Sequence, residues 1–345
     1  MDNVYLVSVV KFVMYVAIVL ISVILIGWLE RRISAFMQNR TGPNRVGPFG
    51  LLQILIDVVK LLLKEDIVPK SANKRIHDLA PIISIAVALS TFAVVPFGNT
   101  IEMFGSEVKL MIADVNVGIL YMLSITSLGV YGLTLAGWAS NNKYSLLGGL
   151  RSSAQMISYE LSMGLSIIGV LMVSGTLRLD QIVLHQTSYL GGWLPAWNIF
   201  LQPVAFITFA VAAFAETNRL PFDLPEAEPE LVAGYHTEYT GLKFGLFMLA
   251  EYSNVITASA VIVTLFLGGW HLPYAEYLGL SPFGLSILQI LTFCVKVALV
   301  ILFFIVVRWT IPRFRYDQLM NLGWKVMLPV AIANVLVTGL VLLVI

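Results

Sequence analysis

Carboxylates crowd a short segment in the middle of the chain. Residues 216–230 contain four glutamates and one aspartate, Glu238 follows them, and Glu251 lies inside the next apolar stretch. Burial and neighbouring like charges disfavour an ionised carboxylate, so buried acids can bind and release protons near neutral pH. These residues therefore indicate proton transfer. With an acid from an earlier apolar stretch, the predicted proton-path residues are Glu160, Glu216, Glu226, Glu228, Glu230, Glu238 and Glu251.

The acids inside apolar stretches also have a structural interpretation. Glu160 or Glu251 could pair with an arginine such as Arg151 or Arg308, or cap a broken helix. An ionised carboxylate in hydrocarbon costs at least about 2.5 kcal/mol, so it normally faces a bundle interior, a partner or a hydrated path. Pairing could account for one of these acids, but the set as a whole favours a polar path.

Other kinds of chemistry lack the residues they require. The four histidines show no paired metal-ligand spacing, and the sequence contains no nucleotide-binding motif. Cys294 is the single cysteine, which excludes an internal disulfide and an iron–sulfur cluster held by about four thiolates of this chain. The sequence therefore predicts no metal site and no redox cofactor on the chain itself.

The composition is typical of a membrane protein. Hydrophobic residues make up 58% of the 345 residues and charged residues 12%, against about 25% charged residues in an ordinary soluble domain. The mean hydropathy is +0.87. These values exclude an ordinary soluble protein, a disordered chain and a nucleic-acid binder. The long apolar stretches also exclude a transmembrane β-barrel, whose strands alternate apolar and polar residues.

A helix needs about 20 mostly apolar residues to cross a bilayer. Eight stretches meet this requirement, so the sequence predicts an all-α polytopic membrane protein that forms one integral domain over residues 1–345. The predicted spans are 4–29, 79–98, 115–137, 155–174, 198–215, 243–268, 284–307 and 323–345. The predicted inner loops are 30–78, 138–154, 216–242 and 308–322.

The basic residues indicate the orientation in the membrane. Seventeen of the 21 lysines and arginines fall in these alternate loops or at their edges. Because basic loops stay on the cytoplasmic side, the four loops are expected to face the cytoplasm, or the matrix in a mitochondrion. Both termini are then predicted on the opposite side. The net charge of +1 thus combines basic inner loops with acids gathered in one of them and in nearby span ends.

The first inner loop is predicted to contain an amphipathic helix over residues 49–65. Its polar residues are spaced by four, three and four positions, which places them in one narrow stripe of a helix. They are Gln53, Asp57, Lys60 and Lys64. Such a helix is too short and too charged to cross the bilayer, so it is expected at the membrane interface. It could be a surface anchor, or its stripe could line an entrance for an amphiphilic ligand.

Several long motifs make the chain similar to a known family. They are Glu30-Arg31-Arg32, residues 38–48, residues 216–230, Glu238-Tyr239-Thr240-Gly241 and residues 312–318. Together they resemble the H-type membrane subunits of proton-pumping NADH:quinone oxidoreductase, respiratory complex I, whose mitochondrial counterpart is NADH dehydrogenase subunit 1. The resemblance covers essentially the whole chain.

The resemblance implies a place within a large complex. It implies a membrane subunit of a proton-translocating NADH:quinone oxidoreductase that carries no redox centre and is not active alone. The subunit would form much of the quinone-access tunnel and couple quinone reduction to proton translocation. The implied partners are the hydrophilic quinone-site and iron–sulfur subunits of the peripheral arm, the small and antiporter-like subunits of the membrane arm, quinone and lipids, with no nucleic acid. FMN and iron–sulfur clusters are expected on partner subunits, and quinone is the expected substrate.

Individual residues match positions of the family's motifs. The seven acids named above match its proton path. The residues that match the tunnel wall are Trp28, Arg31, Gln53, Asp57, Lys60 and Met248. Those that match the last inner loop, at the arm junction, are Arg308, Arg313, Arg315 and Asp317. The implied location is the bacterial inner (plasma) membrane with both termini on the periplasmic side, or the inner mitochondrial membrane.

Three other functions stay open at this point. A homologous subunit of a membrane-bound hydrogenase or related dehydrogenase complex would share the fold and the loop motifs. An independent secondary transporter would suit acids within the membrane, but the chain shows no internal repeat of the two-halves kind. A purely scaffolding role would explain the spans and not the acids inside them.

Overall fold

The computed structural model describes residues 2–103, 106–225, 228–275, 279 and 281–344. Helices dominate this part of the chain. They are α1 (Asp2–Met37), α2 (Gln53–Leu63), α3 (Lys74–Phe92), α4 (Gly118–Ala139), α5 (Lys143–Ser174), α6 (Leu179–His185), α7 (Asn198–Leu201), α8 (Pro203–Glu216), α9 (Glu228–Leu231), α10 (Gly241–Phe266), α11 (Pro282–Thr310), α12 (Tyr316–Asn321) and α13 (Leu328–Val344). A π-helical segment, Leu322–Met327, joins α12 to α13.

Strands occur only as small hairpins in the described residues. Strand β1 (Thr100–Met103) pairs antiparallel with β2 (Ser106–Lys109), with Thr100 opposite Lys109. Strand β3 (Tyr189–Leu190) pairs with β4 (Leu194–Pro195). Short 3-10 turns occupy Pro48–Gly50 and Gly234–His236. The prediction of an all-α polytopic membrane protein is confirmed.

Seven helices of the described chain are long and apolar enough to cross a membrane, and they match seven of the eight predicted spans. The predicted span 198–215 is instead divided between α7 and α8. Gln202 adopts a non-helical conformation (φ −133°, ψ 58°) between them, and Pro203 starts the second helix. Helix α8 has 14 residues, or about 21 Å at 1.5 Å per residue, which is shorter than a hydrocarbon core of about 30 Å.

Two helices extend further into the inner loops than predicted. Helix α1 continues to Met37, so Arg31 and Arg32 are helical. Helix α5 begins at Lys143, where the Asn142 side chain accepts a hydrogen bond from the Tyr144 amide at 2.9 Å. Most of the predicted loop 138–154 is therefore helix. We expect the charged residues that suggested loops to mark where these helices leave the membrane, because basic side chains can end a span without ending a helix.

Close helix contacts organise the core around α5, which packs against α4, α8 and α13. Glycines allow these contacts. A Cβ atom at Gly137 of α4 would lie 2.4 Å from the Ser145 carbonyl oxygen of α5. A Cβ atom at Gly148 would lie 2.6 Å from the Tyr235 amide nitrogen, in the 3-10 turn that follows α9. The inner loop between α8 and α10 is thereby held against the bundle.

We expect Gly148→Ala to destabilise this contact, because the new methyl group would meet backbone atoms that cannot move aside independently. Overpacking of this kind costs about 1–3 kcal/mol. Gly164→Ala in the same helix is the matched control, since a Cβ atom there meets nothing within 4 Å. The temperature at which detergent-solubilised complex loses this subunit should fall for Gly148→Ala and stay unchanged or rise for Gly164→Ala. Equal behaviour of the two variants would contradict the close contact.

Candidate functional site

A buried group of charges lies at the end of the bundle that carries the predicted inner loops, and Arg219 is at its centre. Arg219 and Glu30 are each only 5% exposed. Arg219 Nη1 donates to the two Glu30 carboxylate oxygens at 3.0 and 3.1 Å, and its Nε lies 2.7 Å from Glu251 Oε1. Its guanidinium carbon is 4.5 Å from the Tyr252 ring centroid, and the Tyr252 hydroxyl donates to Glu30 at 2.9 Å.

The cluster is close to charge balance. Arg308 also donates to Glu30, so two arginines face two glutamates. We call Glu30, Arg219, Glu251, Tyr252 and Arg308 the Arg219 cluster. Burial alone would lower the pKa of Arg219, but the carboxylates of Glu251 and Glu30 hold it above its usual value. An unpaired charge in this position would be costly, so the members depend on one another.

The fold brings this cluster together from distant parts of the chain. Glu30 comes from α1, Arg219 from the loop after α8, Glu251 and Tyr252 from α10, and Arg308 from the last turn of α11. The sequence identified Glu251 and Arg308, but it did not identify Glu30, Arg219 or Tyr252 as members of a site. One signal for Glu30 was available, since it is an acid at the end of a span that leads into a strongly basic loop.

A second ion pair joins two of the predicted inner loops beside this cluster. Arg313 Nη2 lies 2.6 Å from Asp223 Oδ2, and the Phe314 amide donates to the Pro221 carbonyl oxygen at 3.1 Å. Burial raises the pKa of Asp223, and Arg313 opposes that rise. The predicted arm-junction residues therefore fall into two groups with different surroundings. Arg308 and Arg313 are bound into the bundle, whereas Arg315 and Asp317 form an exposed pair at 3.0 Å.

A small cavity of about 40 Å³ lies next to the cluster, and both Glu216 and Glu251 line it. Ser84, Thr126 and Asn254 contribute further polar groups to its wall. A second cavity of about 40 Å³ shares Glu216, Thr126, Thr217 and Asn254 with the first. A buried water needs about 10–15 Å³ on this scale and two to four polar partners, so each cavity has room for two or three waters.

Glu160 extends this polar region to α5. The Ser127 hydroxyl of α4 donates to Glu160 Oε1, and the carboxylates of Glu160 and Glu216 are close enough to interact electrostatically. The structure thus brings together three of the predicted proton-path acids, Glu160, Glu216 and Glu251. They come from three different helices.

The other predicted acids have different surroundings. Glu230 lies 2.6 Å from Arg151, and both side chains are partly exposed. Glu238 accepts a hydrogen bond from the Asn142 side chain at 2.6 Å. Glu226 and the side chain of Glu228 lie outside the described residues. The sequence also suggested that Arg151 or Arg308 pairs with Glu160 or Glu251, and these pairings are wrong. Arg151 binds Glu230, and Arg308 binds Glu30. The arginine that binds Glu251 is Arg219.

The predicted interfacial helix is present as α2, although it is shorter than the predicted range 49–65. It contacts α1 through Ile54, which packs against Gly27. Arg31 Nη1 lies 2.5 Å from Asp57 Oδ2, and Gln53 donates to the same carboxylate at 3.1 Å. The Trp28 indole donates to the Phe49 carbonyl oxygen at 3.0 Å. These residues therefore lie together between α1 and α2.

The remaining predicted tunnel residues, Lys60 and Met248, are more loosely placed. Lys60 Nζ is 3.9 Å from Asp57 and its side chain is 70% exposed. Met248 is half-buried on α10. The apolar side of α2 is exposed over several residues of the described chain, including Leu55, Val59 and Leu62. A helix with an apolar surface and a short charged stripe suits the boundary between headgroups and acyl chains.

Comparison with known proteins gives a consistent result. A family model described as NADH dehydrogenase matches residues 10–339. The chain is 52% identical over 312 residues to an H-type subunit of the NADH-quinone oxidoreductase of Cytophaga hutchinsonii, covering 90% of each chain. It is 52% identical over 327 residues to the corresponding H-type protein of Salinibacter ruber, covering 93% of this chain and 92% of the relative. It is 51% identical over 344 residues to "NADH-quinone oxidoreductase subunit 8" of Rhodothermus marinus, covering 97% of each.

Proposed function

This chain belongs to the NADH dehydrogenase family, as a membrane subunit of the NADH-quinone oxidoreductase H type, and from this premise we propose how it works within complex I. Its helices α1, α2 and α10 form much of a passage for quinone. Its buried carboxylates couple quinone reduction to proton translocation. The named relatives are subunits of NADH-quinone oxidoreductases, so assignment to a hydrogenase complex is not favoured.

One observation carries this proposal. The cavity lined by Glu216 and Glu251 adjoins the Arg219 cluster, which reaches back to α1 through Glu30. A quinone has an apolar tail and a polar head, so it requires an entrance at the membrane interface and a polar end point. The contact between α1 and α2 supplies an entrance of this kind, with the Arg31–Asp57 pair on its polar side.

The chemistry of the substrate explains why acids should lie close by. A quinone that accepts two electrons also takes up two protons, so its reduction changes the charge near its headgroup. Arg219 holds Glu30 and Glu251 in one electrostatic unit, so a change of charge near α1 acts on Glu251 through Arg219. Waters in the first cavity can then connect Glu251 to Glu216. Glu216 in turn interacts electrostatically with Glu160. None of these steps requires a redox centre on this chain.

The assembly and the orientation follow from the same proposal. The chain is a multi-pass membrane subunit of a multi-subunit oxidoreductase. We place its basic inner loops against the hydrophilic quinone-site and iron–sulfur subunits, which would carry the FMN and the clusters. The small and antiporter-like membrane subunits would continue the proton path. In a bacterium both termini would lie on the periplasmic side of the plasma membrane.

The test measures quinone reduction and proton translocation together in the purified complex. Variants of the passage should change the KM for quinone, whereas variants of the carboxylate path should change proton translocation at saturating quinone. Asp57→Asn leaves Arg31 without its partner and should raise the KM. The pair is partly exposed, so the expected loss is about 1 kcal/mol or less, which corresponds to about fivefold in KM. Glu65→Gln, an exposed acid in the same segment, is the matched control. An unchanged KM in Asp57→Asn would count against the passage.

A further inference from the structure

We propose that His77 is a proton-transfer residue that connects the inner aqueous phase, by way of Asp78, to the Glu238 end of the carboxylate path. The inference rests on the proposed function, because it supplies that path with an entrance for protons. It concerns a residue outside the Arg219 cluster and its cavities.

His77 is completely buried, and its ring nitrogens make no well-formed hydrogen bond within the described residues. Its ring lies parallel to the Tyr239 ring, with a centroid distance of 3.9 Å and an interplanar angle of 4°. Among the described residues, neither ring nitrogen of His77 has a partner with hydrogen-bond geometry, and the same is true of the Tyr239 hydroxyl. An unpaired buried polar group costs about 1–3 kcal/mol, and phenylalanine would stack equally well without this cost. Packing alone therefore does not explain why this residue is a histidine.

Charged groups connect His77 to the inner surface. Its Nδ1 lies 3.9 Å from Asp78 Oδ1, which is too long for a hydrogen bond but can be closed by one water or a small side-chain movement. Lys243 of α10 lies 2.6 Å from Asp78 and 2.7 Å from Asp66. Both side chains are more than 40% exposed, so they lie between His77 and bulk water. Lys74 is a further charged group near Asp78. The neighbouring helix α4 contains no charged residue.

The other side of His77 faces the proposed path. The backbone of Glu238 approaches the imidazole, and Tyr239 packs edge-on against Phe247, with a centroid distance of 4.9 Å. Phe247 lines the cavity that contains Glu216 and Glu251. Ser84, seven residues after His77 on α3, lines the same cavity. Two helical turns, or about 10 Å, separate them on one side of the helix. His77 thus lies between the inner surface and the cavity.

The transfer conserves atoms and charge. The neutral imidazole accepts one proton at its bare nitrogen from Asp78 or a bound water, and releases another from the opposite nitrogen to a water on the side where the Glu238 backbone approaches the ring. A half-turn about the Cβ–Cγ bond then exchanges the sides on which the two nitrogens lie, so that the bare nitrogen again faces the proton donor while the ring plane stays parallel to Tyr239. The nearby side chains of His236 and Tyr239 do not carry out this proton transfer in place of His77. Burial lowers the pKa of His236 to about 4, so His236 stays neutral, and burial holds the pKa of Tyr239 above its usual value.

The first test uses the complete complex in proteoliposomes and the variant His77→Phe, which keeps the stack and removes the titratable nitrogens. Proton translocation should fall at least about tenfold, because a positioned acid–base group typically contributes 10²–10⁴-fold. The pH dependence of translocation should change as well, because the substitution removes a titratable group from the pathway. Asp78→Asn should have the same effect, and the double variant should be no worse than either single one. His185→Phe, an exposed histidine at the end of α6, is the control.

The second test separates proton transfer from packing. His77→Ala leaves a space of imidazole size, and added imidazole should restore proton translocation, while pyrazole, a ring of the same shape and far lower basicity, should not. Wild-type translocation and pH profile in His77→Phe would overturn the proposal. So would equal rescue by imidazole and pyrazole, or rescue by neither together with a pH-independent loss in His77→Phe. If Glu216→Gln blocks translocation while His77→Phe does not, this inference fails and the proposed function survives.

Discussion

Arg219→Met is expected to remove this subunit from the assembled complex. The substitution keeps much of the side-chain volume but leaves Glu251 without a cation and Glu30 with Arg308 alone. Breaking a buried ion pair by removing one partner costs about 3–5 kcal/mol, a large share of the 5–15 kcal/mol that stabilises a typical fold. Native gels of solubilised membranes, probed for this subunit, should show little or no intact complex.

Two further variants make this result specific. Arg151→Met removes an arginine whose ion pair with Glu230 is partly exposed, so its expected cost is about 1 kcal/mol or less and assembly should continue. Combining Arg219→Met with Glu251→Gln removes the uncompensated carboxylate and should restore part of the assembly. Normal assembly of Arg219→Met alone would show that the cluster does not hold the inner ends of α1, α10 and α11 together.

Glu216→Gln is expected to leave assembly intact and to stop proton translocation. The amide has the size of the carboxyl group and can still bind cavity waters, but it cannot carry the proton. Glu216 is the acid that both described cavities share, and it interacts with Glu160, so we expect the path to pass through it. A loss of about 100-fold or more in coupled translocation follows from removing a positioned acid–base group.

Glu216→Asp and Glu65→Gln are the controls for this prediction. The aspartate keeps a titratable group at a shorter reach, so it should retain an intermediate rate. Glu65 is exposed in the first inner loop, away from both cavities, so its amide should behave as the wild type does. Wild-type proton translocation per electron in Glu216→Gln would remove this residue from the path.

Much of the architecture can be read from the sequence because the bilayer imposes it. Continuous apolar stretches of about 20 residues have one stable structure in hydrocarbon, a helix, and the seven long spans follow from this constraint. Pro203 marks the break between α7 and α8 in the sequence. Hydropathy did not reveal the break, because it is averaged over a window much longer than one residue. The helix extensions at Met37 and Lys143 could not be predicted, because charge marks the end of the membrane and not the end of the helix.

The site was only partly predictable, for a different reason. Acids inside apolar stretches stand out in a sequence, and this identified Glu160, Glu216 and Glu251. The partners of these acids depend on which side chains the folded helices bring together. Glu30 and Arg219 are 189 residues apart in the chain, and no local pattern links them. The same holds for His77 and Tyr239, whose stacking joins α3 to the loop before α10.

The most direct test of the central claim is infrared difference spectroscopy of the complete complex as quinone is reduced. A carboxylic acid has a C=O stretching band that its ionised form lacks, so a change of protonation appears as a band in this region. We expect quinone reduction to produce such a band, and we expect Glu216→Gln to remove it while Glu65→Gln leaves it unchanged. An identical band in Glu216→Gln would contradict the claim that quinone reduction changes the protonation of this carboxylate path.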